Sequence, residues 1–274
     1  LKAVILSGGG NPILYKCKQT GKNFNDVVDM IHGMGLEIGL ITNGMPLRPF
    51  ESQWRDKPST PDSIITFRES WGTVRPETLD KLTWVRISMS GLDHEEREVY
   101  VPDIDESKTT LGFSYVAHDI WNEPADPHHG KVSRPADLIG SLRAPDWTFE
   151  ERVRELTEQI ESCVKVYRPR YVRLLPNCLE PELIARRCET LHAMAEEINS
   201  EVGEEVVFVQ YKPPAAPHAC YLGYVHPVLN CDGYVYPCDS CVLNEAAGHS
   251  FANPWRVCHW SDVARLYEEP VRSL

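Results

Sequence analysis

The sequence predicts an α/β protein: a parallel β-sheet with helices packed outside it, followed by a small cysteine-rich unit. Three observations carry this expectation. Short apolar runs alternate with helical patterns five times in succession, the rhythm of strand-helix units in a parallel sheet. The runs end in small polar residues, and in such folds the chemistry sits at the carboxyl ends of the strands. Finally, five of the nine cysteines fall between Cys220 and Cys258, beyond the last of these units. Periodicity alone leaves a closed or partly closed barrel and an open doubly wound sheet as alternatives.

Taken in order, Leu1 to Leu6 is the first strand, ending in Ser7-Gly8-Gly9-Gly10-Asn11-Pro12. Phe24, Val27, Val28 and Ile31 then mark one face of a helix. Glu37 to Ile41 is a second strand stopped by Thr42-Asn43-Gly44, and Pro76 opens a short helix after a Pro-rich loop. Trp84 to Met89 and Gly112 to Ala117 are the third and fourth strands. The segment from Glu123 to Trp147 has four prolines and no sustained period, and reads as a long loop, of a kind commonly functional or mobile. Thr148 and Glu151 form a capping box for a helix with Phe149, Val153, Leu156, Ile160 and Val164 inward, ended by Pro169. Tyr171 to Leu175, a helix from about Glu180 to Asn199, and Val206 to Val209 complete the series. Lys212-Pro-Pro-Ala-Ala-Pro217 is a stiff linker into the cysteine-rich segment, so the domains are 1–212 and 213–274.

Composition narrows the function classes. With 28 Lys plus Arg against 40 Asp plus Glu, the net charge of -12 repels a phosphate backbone, and no basic patch overrides it, so nucleic acid is not an expected partner. There is no signal peptide and no apolar run of about 18 residues, so no membrane partner is expected. An odd number of unevenly spaced cysteines argues against an oxidised framework and for a reducing, cytoplasmic compartment. The chain opens at Leu1, already within a strand, which points to natural sequence upstream of it.

Asp232-Gly233 lies between Val228-Leu229 and Tyr234-Val235-Tyr236, a hairpin signal in which Gly accepts the positive φ of a two-residue turn. Cys238 and Cys241 have the Cys-x2-Cys spacing at which two thiolates close on one metal, with Cys220 and Cys258 in reach on either side. These four are the expected ligands and Cys231 is the reserve. Four thiolates suit structural zinc and an iron-sulfur cluster alike. Cys163, Cys178 and Cys188 read as packing, with Cys178 near enough to a strand end to face a cavity; Cys17 stands alone. Near the strand ends, His118, Asn122 and Asn177 are candidate substrate-binding residues. His118, Asp119 and Glu123 are candidate proton-handling groups. The His128-His129 pair reads as a solvated loop.

Gly9-Gly10-Asn11-Pro12, Thr42-Asn43-Gly44, Arg86-Ile87-Ser88 and Tyr171-Val-Arg-Leu-Leu-Pro176, in that order, resemble the strand-end motifs of the radical SAM superfamily. Cys220, twelve residues, Gly233, four residues and Cys238 are similar to the spacing of that family's twitch or SPASM auxiliary-cluster region, and Trp260 to Tyr267 is similar to the helix that follows it. Asn11 stands where the family has Glu, and it brings an amide oxygen but no charge to an ammonium group. The Cys-x3-Cys-x2-Cys motif that ligates the SAM-cleaving 4Fe-4S cluster is not in the sequence and is expected upstream of Leu1.

The resemblance implies a partial (β/α)6 TIM-like barrel, with its first strand missing here, and a small C-terminal Cys-rich domain of β-hairpin plus helix. It implies S-adenosylmethionine held by Gly8, Gly9, Gly10, Asn11, Thr42, Asn43 and Ser88. An auxiliary 4Fe-4S cluster on Cys220, Cys238, Cys241 and Cys258 would accompany it. The implied reaction is reductive cleavage of S-adenosylmethionine and hydrogen-atom abstraction from a small polar substrate, with flavodoxin or ferredoxin as electron donor. A peptide-modifying maturase and a non-catalytic, zinc-stabilised binding protein are the alternatives.

Overall fold

In the computed structural model the described residues are 2–7, 11–44, 74–89, 104–117, 148–176, 184–210, 226–230, 232–238 and 256–263. The chain divides into two compact units, Leu1–Lys212 and Pro213–Leu274. In the first, strands β1 (Ala3–Leu6), β2 (Glu37–Thr42), β3 (Trp84–Ser88), β4 (Thr110–Ala117), β5 (Tyr171–Pro176) and β6 (Val207–Val209) form one six-stranded sheet. Every pairing in it is parallel and the spatial order is β1-β2-β3-β4-β5-β6. A doubly wound sheet reverses its strand order at a switch point, and this one does not. With crossovers of the usual right hand, an unreversed order sends every connection over the same face. No pairing among the described residues joins β1 to β6, so the described sheet is not a closed barrel.

Burial follows from that topology. On β3, Val85 and Ile87 are fully buried in the core, while Trp84, Arg86 and Ser88 on the opposite face are half-buried. Likewise Phe113, Tyr115, Val172 and Leu174 join the core beneath the helices. Helix α1 (Phe24–Gly33) starts at a capping box, Asn23 with Asp26, and turns Phe24, Val28 and Ile31 into that core. The short α2 (Pro76–Leu79) opens on Pro76 as expected, and the buried Asn25 amide oxygen ties it to α1 by accepting from Thr78 Oγ1 at 2.8 Å. Helix α3 (Phe149–Tyr167) has the Thr148-Glu151 capping box and ends at Arg168, left-handed at φ 46°, just before Pro169. Phe149 was expected inward and is instead 40 % exposed. It is the first helical residue, ahead of Arg152 and Val153, where the buried face begins. Helix α4 (Ile184–Val202) is stitched to β6 by Asn199, which accepts from the Val207 N–H at 2.8 Å and donates to the Val207 carbonyl at 2.8 Å.

In the second unit, β7 (Val228–Leu229), β8 (Tyr234–Tyr236) and β9 (Cys258–His259) form an antiparallel sheet in the order β7-β8-β9. The expected hairpin is present, but its connection is a residue longer than a two-residue turn. Gly233 N–H donates to Asn230 C=O at 3.0 Å and Asn230 N–H to Tyr234 C=O at 2.9 Å, with Gly233 at φ 81°. This leaves three residues in the loop with glycine in the left-handed position, the next most common hairpin closure. The short 3-10 helix Trp260–Asp262 begins where a longer helix was expected; residues 264–274 lie outside those described. No helix among the described residues is long and apolar enough to cross a membrane.

Two strand glycines shape the sheet face turned away from the helices. Gly39 on β2 pairs with Trp84 on β3, and a Cβ at Gly39 would lie 2.1 Å from the indole. Gly112 on β4 pairs with Tyr171 on β5, and a Cβ there would lie 2.3 Å from the phenol ring. Each ring therefore lies flat over the neighbouring strand's backbone, a place only glycine leaves open. Gly39→Ala is expected to lower stability by about 1–3 kcal/mol through overpacking. The measurement is a shift in urea midpoint. Adding Trp84→Ala should recover part of the loss; strict additivity of the two changes would show that ring and glycine are not coupled.

Candidate functional site

At the carboxyl ends of β1 and β2, side chains close into one hydrogen-bonded set. Asn11 follows β1 and caps the 3-10 turn Pro12–Leu14 with extended backbone. Its Oδ1 accepts from the Ile13 N–H at 3.2 Å and from Thr42 Oγ1 at 3.1 Å, and its Nδ2 donates to Asn43 Oδ1 at 2.5 Å. Thr42, 3 % exposed at the end of β2, accepts in turn from the Gly44 N–H at 3.1 Å. Gly44 has φ 75°, the left-handed conformation that stops the strand.

Three of the expected cofactor residues, Asn11, Thr42 and Asn43, are thus brought together. Both acceptor positions of the Asn11 oxygen are filled by the protein itself. Asn11 consequently ties Thr42, Asn43 and the turn after β1 into one set. Ser88 ends β3 on the face shared with Trp84 and Arg86, and no hydrogen bond links it to the Asn11 set. Gly8, Gly9, Gly10, His118, Asp119, Asn122, Glu123 and Asn177 lie outside the described residues.

The sheet face away from the helices holds a second group of polar and aromatic side chains. Ladder register aligns Arg86, Gly112 and Tyr171 across β3, β4 and β5, and aligns Ser88, Ser114, Arg173 and Phe208 in the next row. Because Gly112 has no side chain, Tyr171 lies across β4 and hydrogen-bonds Arg86 on the far strand. Arg86 also stands over the Trp84 ring, 5.6 Å from its centroid. Arg86, Arg170, Tyr171, Arg173, Phe208 and Gln210 line an open groove of about 660 Å³.

Electrostatically this groove is unbalanced. Burial lowers the Arg86 pKa, which the Tyr171 contact partly offsets. Arg173 is pushed down to about 10, first by burial and then by the charge of Arg86. The Nε atoms of both arginines and Gln210 Oε1 are buried without a hydrogen-bond partner. Neither guanidinium forms an ion pair with a carboxylate among the described residues.

In the second unit, Cys238 and Cys258 are half-buried; Cys238 lies just beyond the end of β8, and Cys258 is in β9 opposite Val235. Burial raises the Cys258 thiol, and the Asp262 charge adds to this. The hairpin beside them is held by a network centred on Asp232. Tyr236 Oη donates to its carboxylate at 2.7 Å and Arg256 Nη2 at 3.1 Å, while Arg256 packs 4.2 Å from the Tyr234 ring centroid. No three His, Cys, Asp or Glu side chains among the described residues converge on one metal position. Cys220, Cys231 and Cys241 lie outside the described residues, so two of the four expected thiols are in view. Thiol donors of this kind suit iron and zinc alike. Cys163 and Cys188 are buried in α3 and α4, as packing residues are.

The arginine groove was not among the expected sites, although its signal is present in the sequence. Trp84-Val-Arg-Ile-Ser88 and Tyr171-Val-Arg-Leu-Leu175 each set an arginine in the middle of an otherwise apolar strand, with an aromatic two residues before it. No protein-family model matches the chain, and no curated protein matches it.

Asn11→Ala removes the turn cap and the acceptor that Thr42 uses, and should cost about 1–2 kcal/mol in urea unfolding. Asn11→Asp keeps both acceptor functions but loses the Nδ2 donor to Asn43, and should retain part of the stability. Equal losses for the two variants would show that the oxygen is not what holds these strand ends.

Proposed function

We propose that this protein is a radical SAM enzyme that reductively cleaves S-adenosylmethionine and abstracts a hydrogen atom from a small polar substrate. In this reading the sequential parallel sheet is a partial TIM-like barrel and the C-terminal unit is a twitch or SPASM-like auxiliary-cluster domain. The observation that supports it best is the joining of Asn11, Thr42 and Asn43 at adjacent strand ends, with Ser88 ending the next strand. Polar groups converging there on a sheet with unreversed order are what a cofactor bound across several strand ends requires.

The residues divide the work as follows. Gly8 to Gly10 offer unobstructed backbone to the amino-acid part of S-adenosylmethionine. Thr42 and Asn43, oriented by Asn11, and Ser88 supply polar side chains for the rest. The face carrying Trp84, Arg86, Tyr171 and Arg173 positions the substrate. A SAM-cleaving 4Fe-4S cluster, when bound, would supply the reducing chemistry for cleavage, with a flavodoxin or ferredoxin as electron donor. Cys220, Cys238, Cys241 and Cys258, with Cys231 in reserve, hold the auxiliary 4Fe-4S cluster. His118, Asp119 and Glu123 are the candidates for handling a proton, and His118, Asn122 and Asn177 for binding substrate.

Anaerobically prepared full-length protein should contain iron and acid-labile sulfide, and should release 5'-deoxyadenosine from S-adenosylmethionine when reduced with dithionite. Cys238→Ala and Cys258→Ala should each reduce iron by about four atoms per chain, one cluster's content. Zinc in place of iron would instead identify a structural metal site and overturn the reading.

A further inference from the structure

We propose that Arg86 and Arg173 form an oxyanion-binding site, and that the substrate is held there through a carboxylate or phosphoryl group. The assignment to substrate rests on the enzyme reading above; the anion site itself rests on the groove alone. Arg86 on β3 and Arg173 on β5 flank β4, whose residues in the same two rows are Gly112 and Ser114. β4 adds no bulky side chain of its own in these rows, the Tyr171 ring lies over Gly112, and both arginines line one open groove with Gln210 and Tyr171. Two like charges brought together on a partly desolvated surface repel one another, and among the described residues no carboxylate pairs with either.

A structural role would fill the hydrogen-bonding capacity of these side chains, because a buried polar atom left unpaired is unfavourable. Here each arginine keeps a buried Nε without a partner. A planar guanidinium offers Nε–H and Nη–H side by side, the fork that accepts two oxygens of one carboxylate or phosphoryl group. Tyr171 steadies Arg86 from one side and the Trp84 ring from another, so that arginine is preorganised. Burial, and after it the charge of Arg86, lowers the Arg173 pKa, and an arriving anion would offset both. In a chain with 40 acidic against 28 basic residues, a groove lined by Arg86, Arg170 and Arg173 is a local reversal of the overall field.

The test is a titration of the full chain with inorganic phosphate and, separately, with sodium acetate, at constant ionic strength. It is followed in proton-nitrogen spectra of the arginine Nε–H groups. Arg86→Lys and Arg173→Lys assign the two signals, since lysine keeps the charge and lacks the Nε–H. Saturable shifts of both signals are expected. Saturation by phosphate alone identifies a phosphoryl site, and saturation by acetate alone a carboxylate site. Arg173→Gln should weaken binding by about tenfold or more, and Arg173→Lys less. Should the Gln variant fail to fold, the Lys variant carries the comparison.

Shifts no larger than those produced by chloride, or variants that bind as tightly as the parent, would overturn the site. Neither result depends on iron or on S-adenosylmethionine. Anion binding without S-adenosylmethionine cleavage would therefore sink the enzyme reading while leaving the site in place. Cleavage without anion binding would do the reverse.

Discussion

A parallel strand pair cannot be closed by a hairpin, and that constraint orders everything else in the larger unit. Each strand must be followed by a crossover that returns the chain to the same edge, so all six strands end on one side. The order of the described strands never reverses, and helices α1, α3 and α4 share one core with the sheet. The apolar residues Ile38, Leu40, Val85, Ile87, Phe113, Val172 and Leu174 are thereby committed to the helices. The other face is released for polar chemistry, and the strand ends collect Asn11, Thr42, Asn43 and Ser88 along a single rim.

The two faces obey different energetics. Beneath the helices, stability comes from non-directional removal of apolar surface from water. On the opposite face, position is set by direct contact: Trp84 over Gly39, Tyr171 over Gly112, and Arg86 between both rings. Keeping two guanidinium groups there, partly dehydrated and unpaired by carboxylates among the described residues, works against folding. Local rules of stability are commonly broken at functional sites, so the imbalance draws attention to the groove. The smaller unit shows the opposite habit: Asp232 and Arg256 are both largely covered and satisfy one another within a short hairpin.

Much of this was legible in the sequence because it rests on local pattern. The alternation of Val85 and Ile87 with Trp84, Arg86 and Ser88 marks a strand with two different faces. Asn23 with Asp26, and Thr148 with Glu151, start helices for reasons contained within four residues. Strand order was not legible, since an unreversed and a reversed sheet have the same periodicity; long-range pairing decides between them. Nor could the sequence tell that the Asn11 oxygen is consumed by Ile13 and Thr42, because Thr42 lies 31 residues away. The arginine groove was missed for a related reason. Arg86 and Arg173 become neighbours only when β3, β4 and β5 are in register, and Gly112 acquires meaning only when Tyr171 is laid across it.

The glycine-ring contacts also bear on how such a protein could diverge. Gly39 and Gly112 have no room for any side chain while their aromatic partners remain, so each glycine can change only with its ring or after it. Single substitutions at the two glycines are disfavoured as first evolutionary steps. Arg86, Ser114 and Arg173, in the rows between and beside the rings, are not locked in this way. The face is a fixed frame with a few exchangeable positions, and over generations ligand preference can drift at those positions while the sheet that presents them stays the same.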